Sequence, residues 1–249
     1  MALPLPLIFL MFWLSAGVES TSFIMENKCE YTVWPGLLSN AGVPPLPTTG
    51  FTLQKGEQRT ITAPASWGGR FWGRTLCSTD TAGKFTCATG DCGSGTLECS
   101  GSGATPPATL AEFTLDGSGG LDFYDVSLVD GYNVPMLVVP QGGSGQNCSS
   151  TGCVVDLNGS CPSELRVTSI DGSKIISRSE PRHETDDTTW DVDNSCRRKY
   201  DVDAGRYIDD IRRSSGSEQS ITVIVSPFVI WNHCDTRAGL LSDVVALLT

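Results

Sequence analysis

The stretch LAEFTLDGSGGLDFYDVSLVDGYNVPM, Leu110 to Met136, decides the reading of this chain, because it joins a strand pattern, turn chemistry and a cluster of carboxylates. Ala111, Phe113 and Leu115 alternate with Glu112 and Thr114. That pattern predicts a strand with one buried face and with Glu112 directed away from the core. Asp116 to Gly120 reads as a turn. The run that follows, Leu121 to Val129, carries Asp122 and Asp125 among aromatic and branched residues, and Asp130 with Gly131 closes it in a second turn. Several acids then converge on one cleft.

Toward the N-terminus, Ser22 to Val33 reads as a strand containing Cys29, and PPLPTTG from Pro44 to Gly50 interrupts any sheet. Phe51 to Gln54 and Gln58 to Ala63 alternate as the arms of a hairpin around Lys55-Gly56. In Ala65 to Arg74 arginines alternate with large aromatics, so Arg70 and Arg74 are expected over a ring or against a carboxylate, the alternative being a solvated strand face with Trp67 and Trp72 in the core. Ser78 to Pro107 is dominated by Gly, Ser, Thr and Cys without helical period, which predicts an ordered loop region held by cross-links. Within it GDCGSG lacks the lysine, the feeding strand and the following helix of a phosphate loop. Val134 to Pro140 reads as a further strand.

The 249 residues suffice for one large β domain or a domain with an appendage. Leu3 to Leu14 is apolar and small residues follow to Ser20, so residues 1–20 are expected to be a secretory signal, with Thr21 the first mature residue. All ten cysteines follow position 20, which suits an oxidising compartment and a disulfide framework. Cys77 with Cys87 and Cys92 with Cys99 are the pairs closest in sequence. Cys87, Cys92 and Cys99 do not have the paired spacing of zinc knuckles, and His183 and His233 are the only histidines, so neither metal nor other cofactor is expected. The net charge of −11 excludes a polyanionic partner such as nucleic acid. Asn147 and Asn158 begin glycosylation sequons.

Beyond Ser173 the character changes. Ile175 to Ser220 is strongly charged and aperiodic, which predicts a poorly ordered tail over residues 174–249. Its apolar pieces, Ile221 to Trp231 and Ala238 to Leu248, are broken by Pro227 and Asp243 and are too short to span a bilayer.

NKCEYTVWPG, TGFTL, APASWGGRFWGRTLC, GKFTCATGDCGSGTLEC, PPATLAEFTLDG, GLDFYDVSLVDGYNVPM, TGCVVDLNGSCP and ELRV follow one another from Asn27 to Val167. In that order they resemble the thaumatin-like proteins, the plant pathogenesis-related group 5. The resemblance implies a secreted all-β protein, an antiparallel β-sandwich with a disulfide-rich lobe, whose acidic cleft is linked to β-1,3-glucan binding and antifungal defence. The family's cleft uses an arginine, a glutamate and three aspartates. Arg70, Glu112, Asp125 and Asp130 match; the third aspartate has no counterpart, Asp186 and Asp209 lying in different surroundings.

The resemblance also pairs Cys77 with Cys87 and Cys92 with Cys99. It leaves Cys29, Cys148, Cys153 and Cys161 without their usual partners and Cys196 and Cys234 unassigned. It covers residues 21–173 as a domain incomplete at its C-terminus. A divergent end of this kind points to an alternative exon, a retained intron or a frameshift, and so to a non-functional variant as one alternative.

Carboxylates accept hydrogen bonds from sugar hydroxyls, so the cleft suits a neutral polysaccharide. Hydrolysis would need two carboxyls roughly 5 to 5.5 Å apart for retention or 6.5 to 9.5 Å for inversion. Glu112 would then be the general acid, crowding by other carboxylates favouring its protonated form, and Asp125 the base or nucleophile, with Arg70 holding one acid ionised. A secreted monomer that binds β-1,3-glucan or another cell-wall polysaccharide is expected. The alternatives are a weak endo-β-1,3-glucanase and an inhibitor that binds a fungal protein. No histidine neighbours a motif-bearing serine or cysteine, which excludes a protease of triad type.

Overall fold

The computed structural model describes residues 20–143, 150–154, 158, 166–168, 175–178, 209–212 and 219–225. Residues 1–19, Asn147, Cys148, Cys161, Asp186, Cys196 and Cys234 lie outside them. Among the described residues no helix is long and apolar enough to cross a membrane. The regular structure is almost wholly β, with a short 3-10 turn at Ser118–Gly120.

The strands are β1 (Thr21–Asn27), β2 (Trp34–Ser39), β3 (Gln58–Ala63), β4 (Gly68–Arg74), β5 (Ser78–Thr79), β6 (Phe85–Thr86), β7 (Leu110–Thr114) and β8 (Leu121–Ser127). They continue with β9 (Met136–Gln141), β10 (Thr151–Cys153), β11 (Arg166–Thr168), β12 (Ile175–Arg178), β13 (Asp209–Arg212) and β14 (Gln219–Val225). One five-stranded sheet has the order β10-β9-β14-β1-β3 and the other β13-β8-β7-β4-β2; β5 with β6 and β11 with β12 form separate pairs. The period-2 pattern sets the packing. Phe23 and Met25 of β1, Ile61 of β3, and Ile221 and Val223 of β14 meet Phe71, Phe113 and Tyr124 of the second sheet in one core. Phe23 ties the two sheets together, its ring centroid 5.5 Å from Trp67, 4.9 Å from Phe71 and 4.8 Å from Phe113. Each such buried side chain contributes about 1.5–3 kcal/mol of transfer free energy.

The sandwich and its cross-linked lobe are as the sequence leads one to expect, with three corrections. First, the sheet is mixed: β14 runs parallel to β1 and antiparallel to β9. A strand that arrives after a long connection is not bound to hairpin geometry, so the parallel pairing is open to it. Second, strands recur after Ser173, where a poorly ordered tail is predicted. β11 and β12 pair across that boundary, β13 adds to β8, and β14 fills the middle of the first sheet. Residues 221–225, ITVIV, are buried on both faces, and such a strand shows no alternation to a reading that looks for period 2. Third, Lys55-Gly56 is a turn, but its arms diverge: Leu53 bridges Val33, whereas β3 pairs with β1.

Candidate functional site

The register of the second sheet assembles the site. Arg70 of β4 stands opposite Glu112 of β7, and Glu112 stands opposite Asp125 of β8. Directly opposed residues share a face. Since the neighbouring row, Phe71, Ala111 and Val126, is buried in the core, Arg70, Glu112 and Asp125 occupy the outer face and are half-buried there. Arg70 Nη1 lies 3.9 Å from Glu112 Oε1. At that separation and exposure the pair contributes no more than about 1 kcal/mol, so its role is to order the two side chains.

The cysteine-rich lobe covers one end of this face and leaves the other open. Trp72, fully buried, packs with Cys92, Cys99, Ala108 and Leu110, and its Nε1 donates to Gly90 O at 2.8 Å. Its indole crosses Gly36, where an added Cβ would lie 2.4 Å from the ring, so only glycine fits there. Disulfides Cys77–Cys87 and Cys92–Cys99 close the lobe. Asn133, 1 % exposed, joins lobe to sandwich: its Nδ2 donates to Gly73 O at 2.8 Å and to Thr89 Oγ1 at 2.9 Å, and its Oδ1 accepts from Thr109 N at 2.9 Å. Beyond the covered end, a groove of about 440 Å³ is lined by Asn40, Glu112, Thr114, Ser118, Phe123 and Asp125 among others.

Arg74 anchors the lobe from beneath. Its guanidinium is fully buried, donates to Trp34 O at 2.9 Å, Pro35 O at 3.1 Å and Leu97 O at 2.7 Å, and lies 5.3 Å from the Phe85 centroid. Burial lowers its pKa to about 10, the nearby Asp91 and Glu98 acting in the opposite sense. Glu98 clamps the Pro-rich loop: it accepts from Thr48 Oγ1 at 2.8 Å, from Thr49 Oγ1 at 2.6 Å and from the Thr49 amide. Its burial acts to raise its pKa, but the hydrogen bonds from Thr49 and Thr48 prevail and hold it below the ordinary value.

A carboxylate with a depressed folded-state pKa stabilises above its unfolded pKa, and that contribution is lost as pH falls through the folded value. Stability is therefore expected to decline below about pH 4.5, and Glu98→Gln to show lower stability at neutral pH with a shallower acid limb. Urea unfolding at pH 7, 5, 4 and 3 checks this.

The sequence profile described as the Thaumatin family matches residues 27–204. This chain belongs to the thaumatin family. Among its relatives are a PR5-like receptor kinase of Arabidopsis thaliana, 63% identical over 153 residues, covering 61% of this chain and 23% of the kinase. Thaumatin-like protein 1 of Prunus persica is 54% identical over 164 residues, 66% of each chain. A protein of Prunus avium named glucan endo-1,3-beta-glucosidase is 52% identical over 159 residues, 64% of each chain. The alignments thus span just under two thirds of the latter two and about a quarter of the kinase. A solved thaumatin-like xylanase inhibitor aligns with 24% identity and a TM-score of 0.47, over 81% of this chain and 97% of its own.

In this thaumatin-family chain, strand register aligns Arg70, Glu112 and Asp125, while Asp130 follows β8 in a turn. Its carbonyl accepts from Ala108 N at 3.0 Å; of the four, Glu112 and Asp125 line the groove and Arg70 and Asp130 do not. Trp67, Trp72, Tyr124 and Tyr132 are at most 1 % exposed and cannot stack on a ligand; the groove's accessible aromatic is Phe123. Asn40, Thr114, Ser118 and Phe123 were not foreseen, although Phe123 alternates with Asp125 on β8 and so shares its face. β13 brings Asp209 opposite Tyr124 and Asp210 opposite Phe123 at the edge of this sheet.

Cys153 is disulfide-bonded. Cys29 is buried and its Sγ donates to Val225 O at 3.5 Å. Asn158 Nδ2, the atom a glycan would occupy, donates to Asn133 O at 3.3 Å.

Proposed function

We propose that this chain is a secreted plant defence protein that binds β-1,3-glucan in the open groove of its second sheet. The observation that carries the reading is the register-aligned row Arg70, Glu112 and Asp125 on the outer face, with Glu112 and Asp125 lining the groove. Two carboxylates about 5 Å apart at their Cβ atoms offer paired acceptors to the hydroxyls of a neutral sugar, and Arg70 supplies donors beside them. The negative net charge of −11 disfavours anionic polysaccharides by the same argument that excludes nucleic acid.

The test is retention on insoluble β-1,3-glucan. Glu112→Gln and Asp125→Asn each keep the shape but weaken acceptance, and each is expected to lower retention by about tenfold, the effect of losing a charge-assisted hydrogen bond. Retention equal to that of the wild type in both variants would sink the reading. Hydrolysis is a second reading, favoured by the relative named glucan endo-1,3-beta-glucosidase; release of reducing sugar from soluble glucan, absent in Glu112→Gln, separates it from binding alone.

A further inference from the structure

We infer that Phe123 is the sugar-stacking platform of the groove and that Gly117 is the residue that holds its ring in place. The inference rests on the glucan reading above and names which part of the site meets the apolar face of the sugar. Along β8, Leu121, Phe123, Asp125 and Ser127 alternate with the buried Asp122, Tyr124 and Val126, so Phe123 looks out on the same face as Asp125. It is half-buried, and it lines the groove with Asp125 and Glu112. Two residues of a strand span about 7 Å, about the width of one sugar ring. A pyranose laid with its C–H face on the Phe123 ring would therefore bring its hydroxyl edge to the two carboxylates. Aromatic side chains provide such contact area at small entropic cost, which is why they dominate binding sites of this kind.

The ring is not free to choose its place. An added Cβ on Gly117 would lie 2.7 Å from Phe123 Cε2 and 2.8 Å from Cδ2, so that side of the ring occupies the space a side chain at Gly117 would take. Gly117 itself has φ −70° and ψ −150°, an extended backbone outside the left-handed region. Its N–H donates to Leu121 O at 2.7 Å, which ties the turn to the start of β8. In Gly117→Ala the added methyl meets the Phe123 ring first and must be absorbed by movement of that ring. Gly117 is a positioning residue that acts through Phe123.

The experiment measures retention of the full chain on insoluble β-1,3-glucan for the wild type, Phe123→Ala, Phe123→Tyr, Gly117→Ala and the Gly117→Ala/Phe123→Ala double variant, with thermal unfolding of each as a check on folding. Phe123→Ala and Gly117→Ala are each expected to lose about tenfold in affinity, Phe123→Tyr to keep it, and the double variant to bind no worse than Phe123→Ala alone. A structural role for the ring would move the unfolding temperature of Phe123→Ala while leaving retention in place. Wild-type retention with Phe123→Ala within twofold of it overturns the inference and leaves the glucan reading standing. So does a Gly117→Ala effect that persists undiminished in the Phe123→Ala background. Failure of the wild type to bind glucan overturns both.

Discussion

Val223→Asp is expected to abolish the folded state: no cooperative unfolding transition by circular dichroism or calorimetry, and rapid digestion by protease. Val223 is fully buried at the centre of β14, paired with Met25 of β1 on one side and Val138 of β9 on the other. A carboxylate there has no polar partner from the neighbouring strands, and the substitution adds the loss of a buried apolar side chain to the desolvation of a charge. The cost exceeds about 4 kcal/mol, against a total stability of about 5–15 kcal/mol for a domain. Ending the chain at Glu218 should have the same outcome, because β1 and β9 are joined in one sheet through β14. Thr222→Ser, which keeps the hydroxyl that accepts from Gln141 Nε2 at 2.8 Å, is the control and should cost no more than about 1 kcal/mol. A well-folded chain ending at Glu218 would show that β14 is dispensable.

Arg74→Met carries the next largest effect, a loss of about 3 kcal/mol with the lobe the first part to open. The variant leaves the carbonyls of Trp34, Pro35 and Leu97 without their donor, at a cost of about 1–3 kcal/mol for each buried acceptor left unmade. Part of that is offset because the burial that lowers the Arg74 pKa to about 10 also costs the folded state, and methionine removes that charge. The guanidinium carries its proton in both the folded and the unfolded state, so this cost does not vary with pH.

Leu97 and Glu98 sit between Cys92 and Cys99, so loss of the Arg74 contact frees a segment held otherwise by the disulfide and by Thr48 and Thr49. Early protease cleavage between Gly93 and Glu98, ahead of global unfolding, is the measurement; Arg74→Lys should fall between the two, since one ammonium cannot span three carbonyls. Uniform cleavage across the chain in Arg74→Met would argue against a separate role at the lobe.

The part of the site that was legible in the sequence is the part written in period 2. Glu112 alternates with Ala111 and Phe113, and Asp125 with Tyr124 and Val126, so their outward direction follows from local pattern alone. The same pattern contains Phe123, but its importance depends on Gly117 six residues earlier, a contact made by the turn and invisible to periodicity. Trp67 and Trp72 illustrate the reverse case. Their placement in the interior is one of two alternatives the sequence leaves open, and Trp72 is buried on the outer face, packed with Cys92 and Cys99 of the lobe, which only the packed structure shows.

By itself the sequence determined the strand class, the acidic face, the two lobe disulfides and the family, because each is recorded in spacing along the chain. The tertiary structure alone decided the order of strands, and with it the direct opposition of Arg70, Glu112 and Asp125 across three of them. It also decided that Gln219–Val225, which falls in a tail read as poorly ordered and includes the start of its apolar piece from Ile221, is a central strand. The physical reason is common to all of these. Strand pairing is a non-local choice, made by burial against segments more than a hundred residues away in sequence, as between Phe23 and Ile221, and no local pattern carries the address of a distant partner.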